Sequence, residues 1–165
     1  MRPLFAPLFL LTVPLCVCLL LLAGCTVSYQ PGGSPLPQPT AGTQAQRDEA
    51  ERAAREYLGM LDRGEYDATW ENAGPALRAQ SSRFVWVNTM KLARKALSTP
   101  PERTVGNIGF TPKVDANAPV GEYAFAVFEG TAGSAATTER VVLQKEQARW
   151  KIVGYFMYSK VKLGG

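Results

Sequence analysis

Hydrophobic residues along the chain follow three successive patterns. The first is a nearly continuous apolar run from Leu4 to Gly24. From Arg47 onward, apolar residues recur three or four positions apart, which is the spacing of one face of a helix. After Pro101 the period becomes two, which is typical of β-strands. The order of the patterns predicts a leader, then helices, then a sheet.

Three helices are predicted in the second region. The first ends near Gly64 and carries one apolar stripe, formed by Ala50, Ala53, Ala54, Tyr57, Leu58 and Leu61. A short helix follows over 66–72 and breaks at Gly74 and Pro75. The third is capped by Ser81 or Ser82. Its apolar face is predicted to be Trp86, Met90, Ala93 and Leu97, and its opposite, basic face Arg83, Lys91, Arg94 and Lys95.

Four strands are predicted at 103–111, 122–130, 138–145 and 149–158. Their short connections indicate an antiparallel meander, and helices followed by strands indicate an α+β fold with the helices packed on one face of the sheet. In the last strand Trp150, Ile152 and Phe156 are expected on one face, and Val153, Tyr155 and Met157 on the other. Because a strand that is apolar on both faces is covered on both sides, we expect a homodimer through the open sheet face.

The apolar run ends in Leu22-Ala23-Gly24-Cys25, which resembles the lipobox of bacterial lipoproteins position for position. A cleaved secretory signal, an uncleaved signal anchor and a spanning helix of roughly 20 apolar residues are the alternatives. Cys25 would be the only cysteine left once the leader is removed. The resemblance therefore implies a signal peptide over 1–24, cleavage between Gly24 and Cys25, and acylation (diacylglyceryl and palmitate-like chains) of Cys25.

Residues 25–46 are rich in Pro, Gly, Ser, Thr and Gln and carry no charge. Such a segment buries little apolar surface and stays extended, so we predict a tether that carries one domain over 47–165. The acyl chains on Cys25 would hold the protein in a membrane of the cell envelope, facing the periplasm. Thr26 stands where an Asp would favour inner-membrane retention, and its presence favours the outer membrane.

The composition excludes several kinds of catalytic and metal-binding site. Histidine is absent, which removes the commonest general base near neutral pH and the commonest metal ligand. A single mature cysteine excludes a Cys-based zinc site and an internal disulfide. No metal and no cofactor are predicted. The formal net charge of +4 is mild, and no nucleic-acid-binding motif is present.

The segments YLGMLDRGEYDATW, GEYAFAVFEG and ERVVLQKEQARWKIVGYFMY resemble a bacterial envelope family known as domain of unknown function 4019. The likeness covers about 51–158 and departs at Ser98, where Gly is expected, and at Arg140, where Thr is expected. The final strands also resemble the cystatin-like, or nuclear-transport-factor-two-like, cone fold. That resemblance implies a curved four-stranded sheet and a cone-shaped pocket, in a fold that serves both enzymes and binding modules.

A candidate pocket follows from these patterns. Glu139 shares a strand face with Val141 and Leu143, so its carboxylate is expected to point toward the apolar layer. The aromatic residues Tyr123, Trp86, Trp150 and Tyr155 could line a pocket beside it, although such aromatics more often form core. Glu122 and Glu129 are expected at solvated strand edges.

The sequence contains no G-x-S-x-G motif, no P-loop and no evident nucleophile–base pair. We therefore expect non-catalytic binding of a small ligand or of an envelope protein. One alternative is a hydrolase or isomerase that uses a buried carboxylate in the cone. Another is an inhibitor or immunity-type protein that acts through its surface.

Overall fold

The computed structural model describes residues 35–96, residue 100 and residues 102–161. These residues lie in one compact unit, Ser34–Gly165. The predicted leader, Cys25, Leu97 and Ser98 lie outside the described residues. Within them, helices precede strands in the order α1 (Gln44–Asp62), α2 (Tyr66–Glu71), α3 (Pro75–Gln80), α4 (Arg83–Ala96), β1 (Thr104–Thr111), β2 (Tyr123–Ala132), β3 (Ala135–Glu146) and β4 (Arg149–Val161).

The first helix begins earlier than the composition suggested. Thr43 is its N-cap, and a capping box joins the Thr43 side chain to the backbone N–H of Gln46 and the Gln46 side chain to the backbone N–H of Thr43. Before the helix, Thr40 forms a bridge with Phe110 of β1. The folded domain therefore reaches back at least to Thr40, into the segment that was predicted to be tether, because local capping and one strand contact hold it.

The helical layer otherwise follows the predicted periodicity. The stripe of α1 is buried at Ala50, Ala54, Tyr57, Leu58 and Leu61. An additional short helix, α3, begins at Pro75, where a break was expected. Proline fits the first turn of a helix because it has no N–H to leave unpaired there. The buried residues of α4 are Trp86, Val87 and Met90. Among the described residues, no helix is long and apolar enough to cross a membrane.

The sheet has the order β1-β2-β3-β4 with every neighbouring pair antiparallel, which confirms the four-stranded meander and the α+β class. Its inner face packs on the helices and forms the core with Ile108, Phe110, Ala124, Ala126, Phe128, Val141, Leu143, Trp150 and Ile152. The opposite, outer face carries the alternating residues of the same strands, including Tyr123, Phe125 and Val142.

A bulge in β4 overturns one expectation. The register shifts between Val142 and Leu143, so that Val142 faces Gly154 while Leu143 faces Ile152. Val153 is the extra residue, and an extra residue reverses the alternation that follows it. The prediction that Phe156 shares a face with Trp150 and Ile152 is therefore wrong.

Tyr155 lies on the inner face after the bulge, where it packs against the core. Phe156 lies on the outer face and is about half exposed, as is Tyr158 two residues later. Because of this one inserted residue, the Tyr155 hydroxyl lies on the inner side of the sheet and the rings of Phe156 and Tyr158 lie on the outer side.

The N-cap predicts a measurable effect. Thr43→Ala removes the side-chain acceptor of the Gln46 N–H and should lower the free energy of unfolding by about 0.5–2 kcal/mol. The matched control is Thr89→Ala, an exposed position inside α4 where alanine has the higher helix propensity, so its effect should be near zero or slightly stabilising. Urea unfolding of both variants measures this, and equal effects would contradict an α1 that begins at Gln44.

Candidate functional site

The most unusual buried group is the carboxylate of Glu139. It lies on the inner face of β3 between Thr137 and Val141, as its alternation with Val141 and Leu143 predicted, and its side chain is 1% exposed. An ionised carboxylate taken out of water is costly unless opposite charges and hydrogen bonds replace the lost hydration.

Two guanidinium groups and one further carboxylate surround Glu139. Arg103 Nε donates to Glu139 Oε2, and Arg94 Nη1 lies 3.3 Å from Glu139 Oε1. Asp62, at the end of α1, accepts a bidentate pair of hydrogen bonds from Arg103 at 2.7 and 2.8 Å. Arg94 Nη2 lies 3.3 Å from the same carboxylate. Asp62, Arg94, Arg103 and Glu139, hereafter the ionic cluster, contain equal numbers of positive and negative groups.

A tyrosine hydroxyl completes the environment of Glu139. Tyr155 donates to Glu139 Oε1 at 2.6 Å, and its ring lies 5.8 Å from the guanidinium carbon of Arg94. The ring of Tyr57 lies 6.0 Å from that of Tyr155. Burial raises the pKa of both phenols well above the ordinary value of 10.0, and for Tyr155 the negative charge of Glu139 raises it further. Both hydroxyls therefore remain protonated throughout the physiological range.

Arg103 keeps its charge in spite of burial. Burial alone would lower its pKa, but the hydrogen bonds to Asp62 and Glu139 outweigh it and raise the pKa above the ordinary range. Arg103 is therefore a fixed positive charge within the cluster. Both oxygens of Glu139 are occupied by donors from the protein itself, and this leaves the carboxylate poorly placed to accept a proton from a substrate.

The cluster corrects one sequence prediction and contains one residue that the sequence pattern did not indicate. Arg94 was assigned to the solvated basic face of its helix, but its side chain is buried. The signal was present, because Arg94 follows the buried Met90 by four positions and so lies on the same side of α4. Arg103 lies just before β1, where no local periodicity could reveal its partners.

The other candidate pocket residues are dispersed. Trp86 donates to Thr69 Oγ1 at 2.9 Å inside the helical layer. Trp150 is buried, with its ring 6.0 Å from that of Phe110. Tyr123 lies on the outer face and donates to the carbonyl of Pro119 at 3.0 Å. Of the five candidates, Glu139 and Tyr155 are in contact, whereas Trp86 and Trp150 have other partners in the core and Tyr123 lies on the opposite face of the sheet.

A groove of about 820 Å³ opens on the outer face of the sheet. The sheet contributes Tyr123 from β2 and residues of β3 and β4, and the loop over 114–119 and α3 contribute the rest of the lining; the residues of β3 and β4 are Arg140, Val142, Val153, Gly154 and Phe156. The hydrogen bond from Tyr123 to Pro119 ties that loop to the sheet. We call this feature the outer groove.

Arg140 supplies a positive charge to the outer groove. Its guanidinium carbon lies 4.9 Å from the centre of the Phe125 ring, a cation–π contact that orients the side chain on the sheet surface. The groove thus combines an apolar floor with the cation of Arg140 and the carboxylate of Asp115, which accepts hydrogen bonds from the backbone of Asn117 and Ala118. It suits a partly apolar ligand or segment that also carries polar or charged groups.

The acidic residues near the α1–α2 junction do not form a cation site. Asp62 belongs to the ionic cluster, Glu65 pairs with Arg63 and Asp67 with Arg83. In the part of the chain that the structure describes, no group of three or more acidic, cysteine or histidine side chains is arranged to hold a metal ion.

A family model matches residues 53–155, which is more than half of the 165-residue chain. Its description is Protein of unknown function (DUF4019). The chain belongs to this family. The matched part runs from α1 into β4 and contains every member of the ionic cluster together with Tyr155. Among curated proteins, none matches the chain.

The burial of Glu139 in this DUF4019 domain predicts a large loss of stability on neutralisation. Glu139→Gln keeps the shape but removes one of the two negative charges of the ionic cluster, so the free energy of unfolding should fall by about 3–5 kcal/mol. The control Glu65→Gln breaks an exposed pair with Arg63 and should leave the free energy of unfolding nearly unchanged, because solvent screens that pair. Denaturant midpoints compare the two, and similar small losses would contradict a buried ionic cluster.

The raised phenol pKa values predict a specific alkaline behaviour. Because the folded-state pKa of Tyr57 and Tyr155 lies above the unfolded value, their contribution to stability is complete below pH about 10 and is lost as the pH rises beyond it. Ultraviolet titration of phenolate should show two of the six tyrosines ionising only as the protein unfolds. Tyr155→Phe should remove one of these late tyrosines. Early ionisation of every tyrosine, with the fold intact, would refute the prediction.

Proposed function

We propose that this protein is a lipoprotein of the bacterial cell envelope whose DUF4019 domain binds a small ligand or a segment of an envelope protein and performs no chemistry. The observation that carries the proposal is the outer groove, where apolar side chains and Arg140 remain accessible on a sheet face that the helices do not cover. The buried carboxylate lies on the other side of the sheet, within the ionic cluster.

The anchor is proposed from the sequence. Leu22-Ala23-Gly24-Cys25 supports removal of a signal peptide over 1–24 and acylation of Cys25. Two or three acyl chains would give firm membrane attachment, since each buried CH₂ contributes about 0.8 kcal/mol. The domain would then face the periplasm, on the outer membrane in view of Thr26.

We also propose that the fold is of the cystatin-like, or nuclear-transport-factor-two-like, kind. Support comes from the N-terminal helices on the inner face of a four-stranded antiparallel meander and from the bulge in its last strand. This proposal does not choose among functions, because the fold serves both enzymes and binding modules.

The alternative of a hydrolase or isomerase has less support. It needs a carboxylate that is free to take or give a proton at a cavity, whereas Glu139 accepts from Arg103 and Tyr155 and does not line the outer groove. An inhibitor or immunity-type role would use the same exposed sheet face as the main proposal.

A homodimer through the sheet is the second proposal for this face. Phe156 and Tyr158 are large apolar side chains that project side by side from the outer face of β4 and stay about half exposed. A second copy would cover both rings. A small ligand in the outer groove would contact Phe156, which lines that groove, and would not contact Tyr158.

This difference provides the test. The mature lipoprotein is purified gently from its own host, as wild type and as Phe156→Ser and Tyr158→Ser, and each is measured by native mass spectrometry. We expect wild type to retain an additional small mass, Phe156→Ser to lose it, and the matched control Tyr158→Ser to keep it.

Other outcomes are equally informative. Dissociation of a dimer by both substitutions would favour the second copy over a small ligand. A bare monomer for wild type, with no retained molecule and no co-purifying protein, would contradict a preformed ligand site. Turnover of a cell-wall or ester substrate that Glu139→Gln abolishes, in a variant shown to be folded, would establish the enzymatic alternative.

A further inference from the structure

The outward side of α4 carries large apolar residues that nothing in the described structure covers. Phe84 is 78% exposed, Leu92 69% and Val85 53%, and around the helix Leu92 lies between Phe84 and Val85. Asn88, Thr89 and Ala96 complete this side without adding charge. Residues at these spacings lie on one helix surface. We call Phe84, Val85, Asn88, Thr89, Leu92 and Ala96, with the flanking Lys91 and Lys95, the outer face of α4.

Charge on this surface has one sign. Helix α4 contains no acidic residue, and the exposed Lys91 and Lys95 lie on either side of Phe84, at one edge of the apolar strip. Arg83 adds little, since Asp67 and Glu71 pair with it. An apolar strip containing Phe and Leu, edged by lysines and free of acids, is the pattern of helices that lie in the interface of an anionic membrane.

We propose that the outer face of α4 docks on the anionic phospholipid surface of the membrane in which Cys25 is anchored. The inference rests on the proposed acylation of Cys25. Thr40 follows Cys25 by fifteen positions, and a chain of that length spans at most roughly 50 Å. Because a domain of this size has a radius of gyration of only about 14 Å, the connection keeps every face within reach of the bilayer, and surface chemistry selects the face that docks.

The expected geometry follows from the helix. Phe84 and Leu92 would enter the boundary between headgroups and acyl chains, at a depth of about 5–10 Å. Lys91 and Lys95 would remain at the phosphate level, where each favours anionic over zwitterionic lipid by on the order of fivefold. The buried side of the same helix, with Trp86 and Arg94, would stay in the domain.

The experiment uses the full acylated lipoprotein, in which an introduced cysteine is the only free thiol. Leu92→Cys and the control Val120→Cys, whose wild-type residue is 81% exposed in the loop before β2, are labelled with an environment-sensitive fluorophore. Both are reconstituted into vesicles of phosphatidylethanolamine, with and without phosphatidylglycerol. We expect the label at 92 to shift to shorter wavelength and to lose quenching by iodide on the anionic vesicles, while the label at 120 stays in water.

Charge reversal gives a second readout. Lys91→Glu combined with Lys95→Glu should remove the shift at 92 on anionic vesicles, whereas Lys160→Glu, at the far end of β4, should leave it.

A lipoprotein that floats with the vesicles while its label at 92 stays in water overturns the docking and leaves the anchor intact. A lipoprotein that does not float refutes the anchor and the docking together. A shift that appears without lipid and grows with protein concentration means that a second copy covers α4, which also overturns the proposal.

Discussion

The carboxylate of Glu139 lies where the sheet meets the helices, and an ionised group in that position is tolerated only if opposite charge is held against it. Arg94 arrives from α4 and Arg103 from the segment before β1, and Asp62 at the end of α1 binds both. The ionic cluster thus links α1, α4 and the segment before β1 to β3, beside the apolar core that the helices and the sheet share. In an open pocket, a carboxylate such as Glu139 could serve as an acid or base. Here it accepts hydrogen bonds from Arg103 and Tyr155 and so connects the sheet to the helical layer.

This arrangement determines which surfaces remain available for function. The inner face of the sheet is filled by core side chains and by the ionic cluster. The outer face keeps the outer groove, with Arg140 oriented over Phe125 and with Phe156 turned outward by the bulge. The helix that sends Arg94 inward presents Phe84 and Leu92 outward. The two surfaces that we propose for binding, the outer groove for a ligand or protein and the outer face of α4 for the membrane, therefore lie apart from the ionic cluster.

Much of this architecture could be predicted from local pattern. The stripe of α1, the order of helices and strands, and the inward direction of Glu139 all follow from periodicity, since each depends on residues a few positions apart. The partners of Glu139 could not be predicted, because Arg103 is 36 residues away along the chain. Tyr155 was predicted as a pocket residue but placed on the wrong face of β4, because a single bulge reversed the alternation in that strand. The strand contact of Thr40 and the N-cap role of Thr43 could not be predicted, because both residues lie in a Pro/Gly-rich segment whose composition usually indicates an extended linker.

The most direct test of this account is a double-mutant cycle between Glu139 and Arg103, with Glu139→Gln, Arg103→Met and the double variant compared by denaturant unfolding. If the two groups stabilise the domain through each other, the single losses will not add, and the coupling free energy should reach about 2 kcal/mol or more. Losses that add to within about 0.5 kcal/mol would show that the two side chains act independently and that the domain does not depend on their pairing.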